Sequence, residues 1–551
     1  MKKILVLTLL ILTAIFTGCG DESATEKNSN LKVMLGSNVV SLDSAQVVDL
    51  VSFEVIADCI DGLMQLDKNG KAVPALASSF EVSDDGKTYT FHLRDAKWAN
   101  GDDVTAEDFV FAWRRLCQKA GEYSYIFGNT VACIKNADAV IKGADPEILG
   151  VTAENSKTLL VKLDAPVPFF LSLMALPTFY PINEKFYNSL EIDSYGTSPE
   201  TFLSNGAFVL TEYLPGAADI QLKKNDTYWN AEKVSLNNLN YQVVSSSDNA
   251  LTAFKNGMLD LVEITGNQIQ QIQSDPELSK NFSIHSGASL QYLSFNQDAK
   301  NHHAGALANK NLRLAISNAI DRESLVNNYA MKNAIATYTA IPVDFAPSFI
   351  TDKFFAENQK QFADVVGFDV EKARKFLETA KSELGKDNFD LNIIYANDSG
   401  ETVVKVAQAI KSQVEENLPD VKITLQPMPK AEYLSNLDSN NYDLALTYWA
   451  PDYNDPMTFL NLWTTDGCKS SENWSNAEYD KIIKDCTTGA YVNNYNARWA
   501  AMYDAEKILL DNAVIAPLYT NASANLISSN VSGIEFHSVA FKRVFKYAKV
   551  K

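Results

Sequence analysis

The chain is poor in the residues that usually carry chemistry, with five histidines and six cysteines among 551 residues. The histidines, at 92, 285, 302, 303 and 537, form no H-E-x-x-H arrangement, and no G-x-S-x-G elbow occurs. Zinc proteases and serine hydrolases of those types are therefore not indicated. No C-x-x-C is present, which removes the common zinc and thiol-redox signatures. Positive charge is short as well: 48 Lys and Arg stand against 68 Asp and Glu, a net of −20. Nucleic acid is excluded as a partner, because phosphate needs clustered basic side chains, and broad adhesion to anionic lipid is disfavoured. Internal repeats, low-complexity tracts and a second long apolar run are missing too. A metal at His302-His303 is disfavoured, since adjacent residues of a strand point to opposite faces and 301–305 reads as a polar loop. No cofactor is expected.

What is present begins with Lys2 and Lys3 ahead of an apolar run from Ile4 to Phe16. That run is too short to span a bilayer stably but suits a signal peptide. It ends in Phe16-Thr17-Gly18-Cys19, which resembles the bacterial lipobox, with cleavage before Cys19 and lipid on its sulfur. Residues 1–18 are then a lipoprotein signal peptide and 19–30 a polar tether. The mature protein is expected outside the cytoplasm, held by acyl chains at the outer face of a membrane. Among the other cysteines, Cys468 and Cys486 flank a Gly-, Ser- and Asn-rich stretch that an oxidised pair could clip. Cys117 and Cys133 are a second candidate pair, and Cys59 reads as a buried thiol among Ile56, Ile60 and Leu63.

Length exceeds what one core supports, so two or three lobes are expected. A strand at Leu31–Leu35 opens the ordered chain, and a helix follows through Phe53 to Leu63. Tyr89, Phe91 and Leu93 alternate onto one face of a hairpin whose turn is Asp84-Asp85-Gly86. Thr105 and Asp108 form a capping-box-like start, after which Phe109, Trp113, Leu116 and Cys117 make an apolar stripe with Arg114 and Arg115 outside it. Strands are expected at 158–163, 207–213 and 239–244, and a helix at 247–256. From about 290 the pattern turns α/β. Leu312, Ala315, Ile316, Ala319 and Ile320 share a helical face, Leu391–Tyr395 is a buried strand, and Val403, Val406, Ala407, Ile410 and Val414 share another helix. Val421–Leu425 then leads to a strand at Tyr442–Thr447, giving a partly parallel sheet with ligand chemistry at its strand ends.

That last strand runs into Tyr448-Trp449-Ala450-Pro451-Asp452-Tyr453-Asn454-Asp455-Pro456. An acid just past two large aromatics suits either a Pro-bounded turn or capture of a cation such as a peptide's amino terminus.

The stretch Tyr89 to Arg115 closely resembles the signature of the peptide/nickel class of bacterial extracytoplasmic solute-binding proteins, which serve ABC importers. Ser41-Leu42-Asp43, Asn205-Gly206-Ala207-Phe208, Asn311 to Arg322 and 442–460 agree in order and spacing, the last with the oligopeptide-binding branch. The resemblance implies an α/β, class II periplasmic-binding-protein-like fold, three-lobed, with two hinge-linked main lobes closing over a central cleft. Lobe I would comprise 31–62, 196–296 and 520–551, lobe II 63–195, and lobe III 297–519. It implies a monomer that binds an oligopeptide and passes it to permease subunits in the membrane, without catalysis. Carried over by position, Asp452 matches the acid that pairs with the peptide's α-ammonium, and Trp449 and Ala450 match the strand beside the peptide, with Tyr448 next to them. Tyr292 resembles a pocket tyrosine, Val48 and Asp49 lie where the first lobe offers backbone and an acid, and Tyr123 and Tyr519 are lining aromatics.

The chain departs from some relatives in having no base in Leu444-Ala445-Leu446-Thr447 to meet the ligand's carboxylate, which leaves Lys405, Lys430 or water. The same scaffold also admits a dipeptide, a peptide pheromone, haem or a nickel complex. An exported hydrolase, such as a glycosidase, would need an acid–base set that the sequence does not display.

Overall fold

The computed structural model describes residues 29–551, apart from 48, 267, 299, 301–303, 331–333, 349–352, 357, 358, 400, 468–472 and 540. Cys19, Val48, Cys468, His302 and His303 lie outside the described residues. The tether expectation ends two residues too late. Ser29 already donates to the Ser235 carbonyl at 2.7 Å, and Asn30 begins the first strand, Asn30–Leu35.

Period-2 alternation builds the smaller sheet. Thr88–Leu93 buries every second side chain and pairs with Ala77–Val82 on one edge and Thr158–Lys162 on the other, with Val151–Asn155 completing four antiparallel strands. Helix Ala106–Lys119 lies against them and starts at the expected capping box. The Asp108 carboxylate accepts from the Thr105 amide at 2.9 Å and the Trp98 indole at 3.0 Å.

On that helix Arg115 is not on the outer face but buried, donating to both oxygens of Asp43 at 2.7 and 2.5 Å. A guanidinium can be buried because its fork matches a carboxylate. The pair fastens the Ser41-Leu42-Asp43 segment to the helix. Cys117 and Cys133 are free buried thiols rather than a bridge: Cys117 packs on the apolar face, and the Cys133 thiol donates to the Asn129 carbonyl at 3.3 Å.

The larger sheet has 11 strands and is unified by two of unusual length, Phe282–Phe295 and Ile515–Ile527. In one half they pair through 282–286 with 522–526, beside Leu261–Ile264, Asn30–Leu35 and Asn238–Val243. In the other half 290–294 pairs with 515–520, beside Leu444–Trp449, Phe389–Ala396 and Val421–Met428. Between the halves the register slips from Ser286 to Leu290. Gly287 sits at this slip, where a Cβ would stand 2.6 Å from the Asn521 carbonyl oxygen, so no side chain fits.

Phe389–Ala396 runs parallel to both neighbours. Its two faces are buried separately: Phe389, Leu391, Ile393 and Tyr395 pack in one core with helices Lys310–Asn318, Val370–Leu384 and Glu401–Asn417, and Ile394 and Ala396 pack with Tyr433 of helix Lys430–Asp438, Tyr442 and Ala445. Asn205-Gly206 is a close approach: a Cβ on Gly206 would lie 2.7 Å from the Cys59 carbonyl carbon, while Asn205 Oδ1 accepts from the Asp61 amide at 2.7 Å. The C-terminal segment returns to the same region. There Arg543 pairs with Glu54 at 2.7 Å and Lys546 with Asp61 at 3.2 Å, all four buried.

Candidate functional site

Leu444–Trp449 ends where its neighbours diverge. One edge pairs with Phe282–Phe295 along its whole length; on the other, Phe389–Ala396 pairs only at Leu444 and Ala445, and the Tyr433 hydroxyl takes the Leu446 carbonyl at 3.0 Å. The outer edge of 447–449 is thus left without a ladder among the described residues. Tyr448 is 52% exposed, Ala450 is exposed and Trp449 is half-buried.

The turn beyond is rigidly held. Asp455 and Arg498, 2% and 1% exposed, pair through both guanidinium nitrogens at 2.7 and 2.8 Å, and Arg498 Nε donates to the Cys486 carbonyl. The Asp455 carboxylate also accepts from the Met457 amide, and the Asp452 amide donates to Thr458 Oγ1 at 3.1 Å. Tyr453 stacks on Phe169 at 4.3 Å, and Asn454 donates to the Gly70 carbonyl at 2.7 Å, so the turn is seated on the segment that carries the small sheet.

Asp452 is consequently fixed and half-buried, with its carboxyl against the Tyr125 hydroxyl. Burial raises its pKa, and the hydrogen bond from Tyr125 opposes the rise without cancelling it. Burial, together with the charge of Asp452, pushes the Tyr125 phenol up. Tyr123 is raised by burial first, then by Asp452, Asp49 and Glu122. Its ring meets Phe53 edge-on at 5.1 Å. Asp49 caps helix Leu50–Cys59, accepting from the Ser52 amide at 2.7 Å and the Ser52 hydroxyl at 2.9 Å.

The structure therefore sets Asp452 against Tyr125, with Tyr123 and Asp49 in the surrounding field, Tyr448 and Trp449 on the adjoining strand and Ala450 just past its end. It does not place Tyr292 or Tyr519 there. Tyr292 is fully buried edge-on to Trp463 at 5.9 Å, and Tyr519 is packed in the core of the parallel half. A ring enclosed on all sides by core residues offers no face to a ligand. Cys486 is a free buried thiol. Lys405 is engaged by Glu401 at 2.8 Å. Sequence reasoning missed Tyr125, which lies in the 3-10 helix Glu122–Phe127 and meets an acid far away in the chain, so no local signal marks it.

Residues 71–471 match the family model described as "Bacterial extracellular solute-binding proteins, family 5 Middle". The chain belongs to this family. It is 31% identical to the oligopeptide-binding protein OppA of Bacillus subtilis (strain 168), over 96% of this chain and 95% of that one. Among solved structures, the unliganded open form of MppA, a periplasmic murein tripeptide binding protein, matches with TM-score 0.81 at 28% identity, covering 95% of this chain and 98% of that one. A second structure of the murein tripeptide binding protein MppA, from Escherichia coli, matches at the same 28% identity with TM-score 0.69, covering 95% and 99%. The family is extracytoplasmic, and no helix among the described residues is long and apolar enough to cross a membrane.

Proposed function

We propose that this family 5 protein binds oligopeptides in the cleft between the two halves of its large sheet and hands them to an ABC permease. The carrying observation is Asp452, a half-buried carboxyl at the end of a strand whose outer edge is open. A peptide laid along 447–449 gains main-chain hydrogen bonds indifferent to its sequence, and its α-ammonium meets the carboxylate. The names of the relatives, oligopeptide-binding and murein tripeptide binding proteins, support the same reading. On this reading lobes I (31–62, 196–296, 520–551), II (63–195) and III (297–519) close about the crossing strands. The protein is a monomer without catalytic activity, tethered by lipid at Cys19. Translocation energy would come from other subunits.

The test is calorimetric binding of a free tripeptide and its N-acetylated form. Asp452→Ala should weaken the free peptide by about 3–5 kcal/mol, because a buried ammonium is left unpaired, or roughly two to three and a half decades in Kd. Acetylation should weaken binding to the unaltered protein comparably. Equal affinity for both peptides would remove Asp452 from the role.

A further inference from the structure

Away from the cleft, helix Ala106–Lys119 and strand Val151–Asn155 border a groove of about 620 Å³. They run antiparallel: the Ala106 amide donates to the Ser156 carbonyl at 3.0 Å, and further along the helix Arg114 reaches the Glu147 carboxylate at 2.7 Å. Val110, Phe111 and Ala153 make its walls apolar, and the Phe111 ring meets that of Tyr187 at 5.2 Å. None of Asp452, Tyr125, Tyr448 or Trp449 lines it.

Among the described residues, Val151–Asn155 pairs with Thr158–Lys162 and with no other strand, so one edge of the small sheet is open. The ladder decides which backbone groups face that edge. The Leu93 amide donates to the Lys157 carbonyl and the Leu163 amide to the Lys87 carbonyl, both at 2.8 Å. Odd-numbered residues of 157–163 therefore bond towards Thr88–Leu93. Even-numbered ones bond the other way, as the Lys162 amide does to the Gly150 carbonyl at 2.8 Å. Ala153 stands opposite Leu159, so its N–H and C=O both point to the open edge. Neither has a hydrogen-bond partner among the described residues, and Ala153 lines the groove. A free donor and acceptor beside a helix-walled groove are a template for one more strand.

Charge and apolar surface indicate what that strand carries. Glu107 and Glu184 line the groove, are exposed, and have no cation within ion-pair distance among the described residues. Arg114, Arg115 and Lys119 are each already held by an acid. Uncompensated acids favour a basic occupant. Ile148, next to Glu147, is 44% exposed; Ile192, next to the Asp193 that holds Lys119 at 3.3 Å, is 94% exposed. Apolar surface that continues past the groove suits a protein rather than a short peptide.

We propose that this groove docks a partner protein, through an extended segment of alternating apolar and basic residues added to the small sheet as a fifth strand at Ala153. Alternation puts the apolar side chains on one face, against Val110 and Phe111, and leaves the basic ones for Glu107 and Glu184.

The probe is acetyl-Lys-Val-Lys-Val-Lys-Val-amide, whose blocked amino terminus offers no α-ammonium to Asp452, measured by calorimetry on the full chain. It should bind at a single site, and free tri-alanine should not displace it. Ala153→Pro removes the outward N–H at an edge position, where proline is tolerated. It should weaken the probe at least about tenfold and leave the affinity for tri-alanine unchanged. Glu107→Gln with Glu184→Gln should weaken the probe severalfold and flatten its salt dependence. Successive N–H groups of a strand point to opposite edges. Of two probes N-methylated at every valine or at every lysine, one should therefore lose binding and the other keep it. That pair decides the matter even where Ala153→Pro fails to fold. Absence of binding, an equal effect of the two methylations, or displacement by tri-alanine, which would put the probe in the cleft, overturns the docking site. The reading of the cleft is tested separately, by the free peptide.

Discussion

The Asp452 carboxyl is balanced between burial, which raises its pKa, and the Tyr125 hydroxyl, which lowers it by donating to the charged form. The net direction is upward. A peptide ammonium would reverse that direction, because an opposite charge favours the ionised carboxylate. Between the raised value of the empty site and the lowered value of the occupied one, binding must expel a proton. Affinity should therefore be full at neutral pH and fall as the pH drops through the raised pKa of the empty site. Tyr125→Phe removes the opposing hydrogen bond, so the loss should begin at higher pH in that variant. Titration in two buffers of different ionisation enthalpy reads the proton release directly. A pH profile that Tyr125→Phe leaves unmoved would show that the phenol does not govern the acid. At this scale the turn that carries the acid was legible, because aromatic and proline neighbours mark it, but the phenol was not. Which of 23 tyrosines meets a carboxylate depends on chain remote from it.

Secondary elements were legible where periodicity is strong. Helix Lys310–Asn318, strand Phe389–Ala396 and helix Glu401–Asn417 fall where their apolar spacing puts them. The first helix does not. It runs Leu50–Cys59 rather than 53–63, because Asp49 accepts from the Ser52 amide and Ile60 is already extended. An acid read only as a ligand group is also a cap, and the cap sets the start. The turn after Leu444–Trp449 depends likewise on helix Tyr495–Asp511, which supplies Arg498. Arg498→Ala leaves Asp455 buried without its partner and should destabilise the protein by about 3–5 kcal/mol, measured by urea unfolding. It should also loosen 452–458 and weaken peptide binding. A change under about 1 kcal/mol, the scale of an exposed pair, would mean that the turn holds itself.

For the whole molecule, the two long strands and the register slip at Gly287 join the two halves of the large sheet. Hinges are a few residues that absorb rotation while the packed bodies stay rigid. Saturating peptide should reduce the radius of gyration in X-ray scattering towards the about 24 Å expected of a compact chain of this length. Asp452→Ala at the same peptide concentration should show little of that change. Scattering that is identical with and without bound peptide would exclude hinge closure.

Periodicity, capping residues and the ordered family motifs are local properties of the chain, so the sequence alone determined the α/β class and most helices and strands. Tertiary structure decided the rest, because burial and pairing depend on what lies opposite. Asp43 meets Arg115 across 72 residues and Glu54 meets Arg543 across 489, distances over which no pattern specifies a partner. The same reason put Tyr292 and Tyr519 in the core and Tyr125 beside Asp452. A tyrosine's side of a strand is written in the sequence, but what covers that side is not.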